Sequence, residues 1–405
     1  MDPLTHGLTG ALIGKAFFAD ESSLTASRWN QRPATAGRVA ILAAIAGANF
    51  PDIDVFALPF AHNSMAFITW HRNITHSLVM LPVWALALAA LTSWLARFIE
   101  WRSPSLGALT GIYAAGLASH DFLDLLTSYG TMIWSPVNYF RLSWDWVFIV
   151  DLAVTSAVLL PQLAAWAFRR PKNALYRALA VWVVYSATAF ALVPLLRRVE
   201  VPYSAAAALG ASIVCALFFL LPLRRGAGSR VGRAKWCRIG VALLGGHLAF
   251  AGAMHHVALQ QVNQFAQDAR LRVLGVGALP MPPWPGLWAG MISTPEGVYR
   301  LEFNQFSDNP VTIRLFSNAA PNNYIAAARN LRDVQTFLWF ARFPLFQYFV
   351  TDGQPVVRIS DLRFLGGGRR FGGGDSQTEV SSLSTFQVVF TPEGRVVSQG
   401  RLPPD

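Results

Sequence analysis

Between about residue 39 and residue 259 the chain is a succession of long apolar runs separated by short polar turns. The clearest runs cover residues 77–95, 106–126, 147–168, 178–196, 204–223 and 239–259. Crossing a hydrocarbon core takes roughly 20 residues of helix. These runs lack the polar stripe that a helix on a soluble surface carries. Residues 39–58 form a further run, interrupted by Asn49-Phe50-Pro51-Asp52-Ile53-Asp54. Residues 4–19 are apolar but short, which suits a marginal span or a re-entrant helix. The pattern predicts a mainly α, polytopic membrane helix bundle of about seven to eight spans.

Beyond residue 259 the pattern changes. Pro280, Pro282, Pro283 and Pro285 mark a linker, and short strand-like runs follow at residues 297–306, 311–316, 355–364 and 385–391. Gly, Asn, Asp and Pro punctuate them, and a helical pattern near residues 323–343 interrupts them. This predicts a small C-terminal α+β domain. Two Gly triplets, Gly366-Gly367-Gly368 and Gly372-Gly373-Gly374, read as a flexible hairpin loop; they lack the strand–glycine–helix context of a nucleotide fingerprint. The organisation expected is a site-bearing helical region over residues 1–155, additional membrane helices over 156–259, and a linker with the α+β domain over 260–405.

Charge sets the orientation. Of the 405 residues 53% are hydrophobic, and the net charge is +11. Sixteen Lys and Arg, from Lys15 to Arg238, fall in one alternating set of connections; the other set holds four, Arg72, Arg141, Arg197 and Arg198. The positive-inside rule assigns the first set to the cytoplasm, and an eight-helix count then puts both termini and the C-terminal domain outside. Basic residues scattered along loops argue against nucleic acid as a partner. The two cysteines, Cys215 and Cys237, sit in or beside apolar runs, so a disulfide framework is not expected. The opening MDPLTHGLTG has no basic start and no clear cleavage site, so it does not read as a removed signal peptide.

The polar residues that matter lie in four short segments: Thr5-His6-Gly7, Pro51-Asp52-Ile53-Asp54, His71 to Ser77, and Ser119 to Gly130. With this orientation all four fall near the outer face. Ionisable groups at membrane depth are costly and are rare unless paired or functional. Imidazole and carboxylate are the nitrogen and oxygen donors of Zn²⁺ and similar ions. His120 and Asp124 are four residues apart, which places both on one helix face. Any one of these histidines is more often an interfacial or core residue than a ligand; four segments converging on one face favour a metal site. Asp151 suits a ligand or supporting role, or a pair with Arg141. Asp121 suits a supporting role beside the His120 pair. Arg72 suits phosphate binding or a snorkelling position. His255 and His256 read as interfacial, His62 and His247 have no partner by spacing, and Trp70, Trp134, Trp144 and Trp146 fit an aromatic belt.

The ordered set THGLTG, PDID, HRNITHS and SHDFLDLLTSYG resembles the YdjM-like family of bacterial inner-membrane, metal-dependent hydrolases, over about the first 155 residues. The resemblance implies a helical fold related to zinc-dependent phospholipase C and to the single-strand nucleases of that superfamily, which bind clusters of metal ions and cleave phosphodiesters. It implies His6, Asp52, His71, His76, His120 and Asp124 as ligands of Zn²⁺, with more than one ion accommodated, and Asp54 as an additional ligand or base.

The expected activity is metal-assisted hydrolysis of a phosphoester, such as a phospholipid or a lipid-linked substrate, at the periplasmic face of the inner membrane. Asp54 and Asp121 are the expected proton acceptors, and membrane lipid and metal ions the expected partners. Two rivals stand beside it. One is a non-enzymatic membrane scaffold with a structural metal and a partner-binding outer domain. The other is a transporter, which would need polar residues at mid-membrane in several helices; the later spans carry almost none.

Overall fold

The computed structural model describes residues 1–19, 35–61, 65–198, 201, 203–283, 286–365 and 384–401. The two Gly triplets and His62 lie outside the described residues. The chain divides into two compact units. The first comprises Met1–Asp54 and Arg72–Phe250, and the second Val55–His71 and Ala251–Asp405.

The first unit is helical. It holds α1 (Pro3–Ile13), α2 (Thr35–Asn49), α4 (Leu81–Phe98), α5 (Leu106–Leu125), α6 (Leu152–Ala167), α7 (Ala174–Arg198), α8 (Ala205–Leu220) and the first part of α9 (Arg233–Asp268); the short α3 (Ala66–Trp70) belongs to the second unit. Among the described residues five helical segments are long and apolar enough to cross a membrane: Ala36–Phe60, Leu81–Phe98, Pro171–Arg198, Ala205–Arg224 and Arg233–Asp268. Seven or eight were expected. The remaining expected spans are helical but fall short in length or apolarity. α1 has 11 residues and α6 has 16. α5 has 20 residues, but its Gly, Ser, Thr, His and Asp residues dilute its apolarity, and it buries one flank against protein.

Local chemistry sets the helix ends. Asp2 caps α1 through the Thr5 amide, and Pro3 stands in the first turn, where its missing N–H costs nothing. Ser105 caps α5, Asp151 caps α6 and Ser204 caps α8. α4 begins at Leu81, later than the apolar run from residue 77, because the Ser77 hydroxyl accepts the Val79 and Met80 amides and holds those residues in a turn.

α2 lies at the centre of the site-bearing half. It packs on α1 and α5, and α5 packs on α4. Their shared core is small: Ala40, Ala43 and Ala44 of α2 meet Ala85 and Ala89 of α4 and Leu109, Ile112 and Leu117 of α5. The closest approach is at the Ala44 carbonyl. A Cβ on Gly10 would stand 2.5 Å from that oxygen, and one on Gly116 would stand 2.8 Å from it. Small residues that let backbones touch are how helices associate where lipid removes the hydrophobic drive. A second core gathers Phe168, which follows the last residue of α6, with Phe219 of α8 and Trp236 of α9. Cys215 and Cys237 are both free and buried.

The second unit holds two four-stranded antiparallel sheets. β1 (Gly275–Pro280), β2 (Leu287–Thr294), β3 (Gly297–Asn304) and β4 (Thr312–Ser317) pair in sequence order. Then come α10 (Asn323–Arg329) and α11 (Arg332–Phe340), followed by β5 (Pro344–Thr351), β6 (Gln354–Asp361), β7 (Thr385–Phe390) and β8 (Val396–Arg401), again in order. Ala289, Met291 and Val298 of the first sheet share a core with Phe343, Leu345 and Leu362. The end of α9 packs Ala258, Val262 and Ala266 on Trp288, Ile292 and Leu301. Pro280, expected in a linker, closes β1 opposite Trp288.

Candidate metal centre

The glycine contact explains why the polar groups meet. His6 lies four residues before Gly10 on α1. His120 lies four residues after Gly116 on α5, and Ala48 lies four residues after Ala44 on α2. Residues four apart share a helix face, so the close approach at Ala44 stacks His6, Ala48 and His120 one turn further along. There the His6 and His120 rings stack with centroids 3.7 Å apart, and the Ala48 carbonyl lies 2.8 Å from His120 Nδ1.

Two other segments complete the group. The 3₁₀ turn Phe50–Phe60 continues from α2 and carries Asp52 and Asp54. The turn Ile74–His76 carries His76. One ligand atom each from Asp52, His76, His120 and Asp124 lies within 4.8 Å of the others. His76 Nε2 and His120 Nε2 are 3.1 Å apart. Asp124 Oδ2 is 3.5 Å from each of them, and Asp52 Oδ1 is 3.6 Å from His76 Nε2 and 3.7 Å from His120 Nε2. His76, His120 and Asp124 are buried; the Asp52 side chain keeps 19% of its exposure, so the group meets solvent at Asp52.

Both imidazoles are oriented from behind. A carbonyl can only accept, so His120 Nδ1 donates to Ala48, and in the neutral ring Nε2 then carries the lone pair that a metal would take. His76 Nδ1 faces Asp54 Oδ2 at 3.4 Å and the Thr75 hydroxyl at 3.1 Å, and that hydroxyl donates to the same carboxylate at 3.1 Å. In the neutral ring His76 Nε2 then carries its lone pair as well. The group therefore points two imidazole lone pairs and two carboxylates at one small volume. Among the described residues Asp124 Oδ2 takes no hydrogen bond. Nitrogen and oxygen donors with supporting partners are the composition of a zinc-type site. The residues fit a metal ion; its identity is not specified by them.

Cationic groups press on Asp124 from the protein side. Arg72 Nε lies 2.8 Å from Asp124 Oδ2, an ion pair off the N–H axis. Arg72 Nη1 donates to the Asp124 carbonyl at 3.3 Å and to Thr127 at 2.9 Å, and its guanidinium lies 4.9 Å from the centre of the Tyr129 ring. Arg72 is buried, so it does not snorkel. The Met1 amine pairs with Asp124 Oδ1. Burial lowers the pKa of that amine, and the Asp124 charge opposes the shift.

Placement of the remaining expected residues is mixed. His6 Nε2 is 3.2 Å from Asp124 Oδ1, at the edge of the group, and its Nδ1 has no hydrogen-bond partner among the described residues. Asp54 stands behind His76, on the Nδ1 side. His71 belongs to the second unit, stacks on Phe67 with centroids 5.6 Å apart and is not one of the four grouped donors. Asp121 is buried, also outside the four, and its Oδ1 has no hydrogen-bond partner among the described residues. Asp151 accepts the Ala153 and Val154 amides as the cap of α6, and its Oδ2 is 3.8 Å from His247 Nε2, a partner that spacing did not suggest. Sequence reasoning also missed the Ala48 carbonyl, because a backbone acceptor leaves no residue-type signal. It missed Thr75 as a bridge, although Thr75 sits within the HRNITHS run.

No curated protein and no solved structure matches the chain. The family model described as YdjM inner membrane protein matches residues 1–196, which contain all four grouped donors. Over these 196 residues of 405 the chain is similar to the YdjM inner membrane protein family.

Proposed function

We propose that the chain is a membrane-bound, metal-dependent hydrolase acting on a phosphoester, with a phospholipid or lipid-linked molecule as the substrate class. The observation that carries this is the convergence of two oriented Nε2 lone pairs and two carboxylates with one edge, Asp52, open to solvent. Structural sites are closed around the ion, whereas catalytic sites keep an approach. A divalent ion bound here would supply Lewis acidity for hydrolysis near neutral pH.

In this reading Asp52, His76, His120 and Asp124 hold the ion. His6, against Asp124 Oδ1, extends the donor set towards a second ion. Asp54 and the Ala48 carbonyl fix the two imidazoles. Arg72 holds the Asp124 carboxylate in place. Asp121, buried with an unbonded oxygen, is the proposed proton acceptor. Zn²⁺ is the proposed metal, and the site and the C-terminal unit are proposed to face the periplasm, in line with the excess of Lys and Arg in the opposite connections.

The rival is a scaffold in which the group is purely structural. One observation favours it: Arg72 and the Met1 amine already compensate Asp124. Purified protein in lipid nanodiscs, offered phospholipids and soluble phosphodiesters, separates the two. The hydrolase reading expects turnover that disappears in His120→Ala. Metal binding with no turnover across those substrates would favour the scaffold.

A further inference from the structure

The connection between α5 and α6 presents an apolar tip that nothing in the first unit covers. Trp134 is 49% exposed, Val137 80%, Tyr139 50% and Phe140 62%. Four large apolar side chains within seven residues form a patch that a water-facing turn does not normally display.

The tip is not loose chain. Ser135, Val137 and Asn138 return their amides to Met132 and Trp134, and the Asn138 side chain accepts the Phe140 amide at 2.7 Å. Its base is closed by the antiparallel bridge between Thr131 and Leu142. It is also stitched to the segment that carries Arg72 and His76. Met132 N–H donates to the Arg72 carbonyl at 3.0 Å, and Leu78 N–H donates to the Ile133 carbonyl at 2.9 Å. The Ser77 hydroxyl donates to the Ser135 carbonyl, and the Ser135 hydroxyl to Asn73 Oδ1. The aromatic side chains are therefore held outward on a pre-ordered frame, which removes most of the ordering cost of binding.

Position decides what the tip meets. Leu78 lies three residues before α4, a helix long and apolar enough to cross a membrane. A loop bonded to the backbone at the mouth of a span lies at the bilayer surface. Trp and Tyr concentrate at that level, where an apolar body and a polar tip are both accommodated. The half-buried Arg141, whose guanidinium lies 5.3 Å from the Tyr129 ring centre at the base of the loop, supplies a cation beneath the patch.

We infer that the 134–140 turn is an interfacial anchor that inserts Trp134, Val137, Tyr139 and Phe140 among the lipid headgroups and upper acyl chains on the side of the metal centre. Anchoring there keeps the Arg72–His76 segment at headgroup depth. The inference concerns lipid contact and stands whichever chemistry the metal group performs.

The test uses the full chain with Cys215 and Cys237 replaced by Ala and a single cysteine introduced by Val137→Cys or Phe140→Cys. Each is labelled with an environment-sensitive fluorophore and reconstituted in phosphatidylethanolamine–phosphatidylglycerol vesicles. Asp308→Cys, on the exposed connection between β3 and β4, gives the reference label. The anchor predicts blue-shifted emission at either tip position and several-fold stronger quenching by headgroup-proximal doxyl lipid than at Asp308, with reduced quenching by iodide. Labels at both tip positions that are as open to iodide as the reference, with no lipid quenching, would overturn it. A tip variant that does not elute as a single species is replaced by Tyr139→Cys and judged by the same two quenchers.

Discussion

The Nε2 atoms of His76 and His120 face each other 3.1 Å apart, although the two residues come from a 3₁₀ turn and a long helix separated by α4. Each ring is fixed from behind, His120 by the Ala48 carbonyl and His76 by Asp54 with Thr75. Two imidazole Nε2 atoms held in opposition, with the Asp52 and Asp124 carboxylates beside them, make up a donor set that fits a metal ion.

Donors and orienting partners should separate in titration. Asp54→Asn keeps the four donors and alters the carboxylate that faces His76 Nδ1 and accepts the Thr75 hydroxyl and the Arg72 amide, so metal affinity should fall about 10–100-fold, the usual cost of losing an orienting partner. Asp52→Asn removes a donor and should cost more. Competitive titration against a fluorescent chelator measures both. An Asp54→Asn protein that loses metal more completely than Asp52→Asn would make Asp54 the ligand and Asp52 the bystander.

Arg72 is tied to Asp124 by charge and to Thr127 by a hydrogen bond. Removing one member of a buried pair costs about 3–5 kcal/mol, because the other charge is left uncompensated. Arg72→Ala should therefore lower the unfolding temperature of metal-stripped protein sharply. Metal-loaded protein should lose less, since the ion takes over the neutralisation of Asp124. Equal losses in the two forms would place the ion away from Asp124.

The Ala44 contact makes a prediction of opposite sign at two glycines. A Cβ on Gly10 would collide with the Ala44 carbonyl, whereas one on Gly111 meets nothing within 4 Å. Gly10→Ala should destabilise the protein by about 1–3 kcal/mol, as overpacking does, and should weaken metal binding by moving α1, and with it His6, away from α2 and from the stacked His120 ring. Gly111→Ala should be neutral or stabilising, because Ala exceeds Gly in helix propensity by about 0.8–1.0 kcal/mol. Thermal unfolding in one detergent, with metal content measured on the same samples, checks both.

Chelation should act on stability as well as on occupancy. A ligand that binds only the folded state at 100 times its Kd stabilises it by about 2.7 kcal/mol. Stripping the metal with EDTA should lower the unfolding temperature, and re-adding Zn²⁺ should restore it. The same cycle on His76→Ala should show no shift.

Much of the centre was legible in four sequence segments because its chemistry is carried by side-chain type. SHDFLD placed His120 and Asp124 one turn apart, and PDID placed Asp52 beside the histidines. Two things were hidden. The first was the division between donors and orienting groups: Asp54 and Asp52 look alike in sequence, and only the path of the 3₁₀ turn sends one to Nε2 and the other to Nδ1 of His76. The second was the reach of α9, which continues to Asp268 beyond the apolar run ending at residue 259. Hydropathy stops there, but Val262 and Ala266, four residues apart, continue the helix as an amphipathic face on the first sheet. β1 was obscured by Pro280, which closes a strand where a proline cluster suggested a linker. β8 was obscured because most of it is exposed and carries little alternation.

A cation held among Asp52, His76, His120 and Asp124 is the central expectation of this fold. Elemental analysis of purified protein, wild type against the His76→Ala/His120→Ala double variant, reads this directly. The account predicts a transition-metal ion, at one or more per chain, in the wild type and its loss in the double variant, while both proteins elute identically and retain their helical circular dichroism. Wild-type protein that remains metal-free after loading with Zn²⁺, or a double variant that holds as much metal as the wild type, would contradict it.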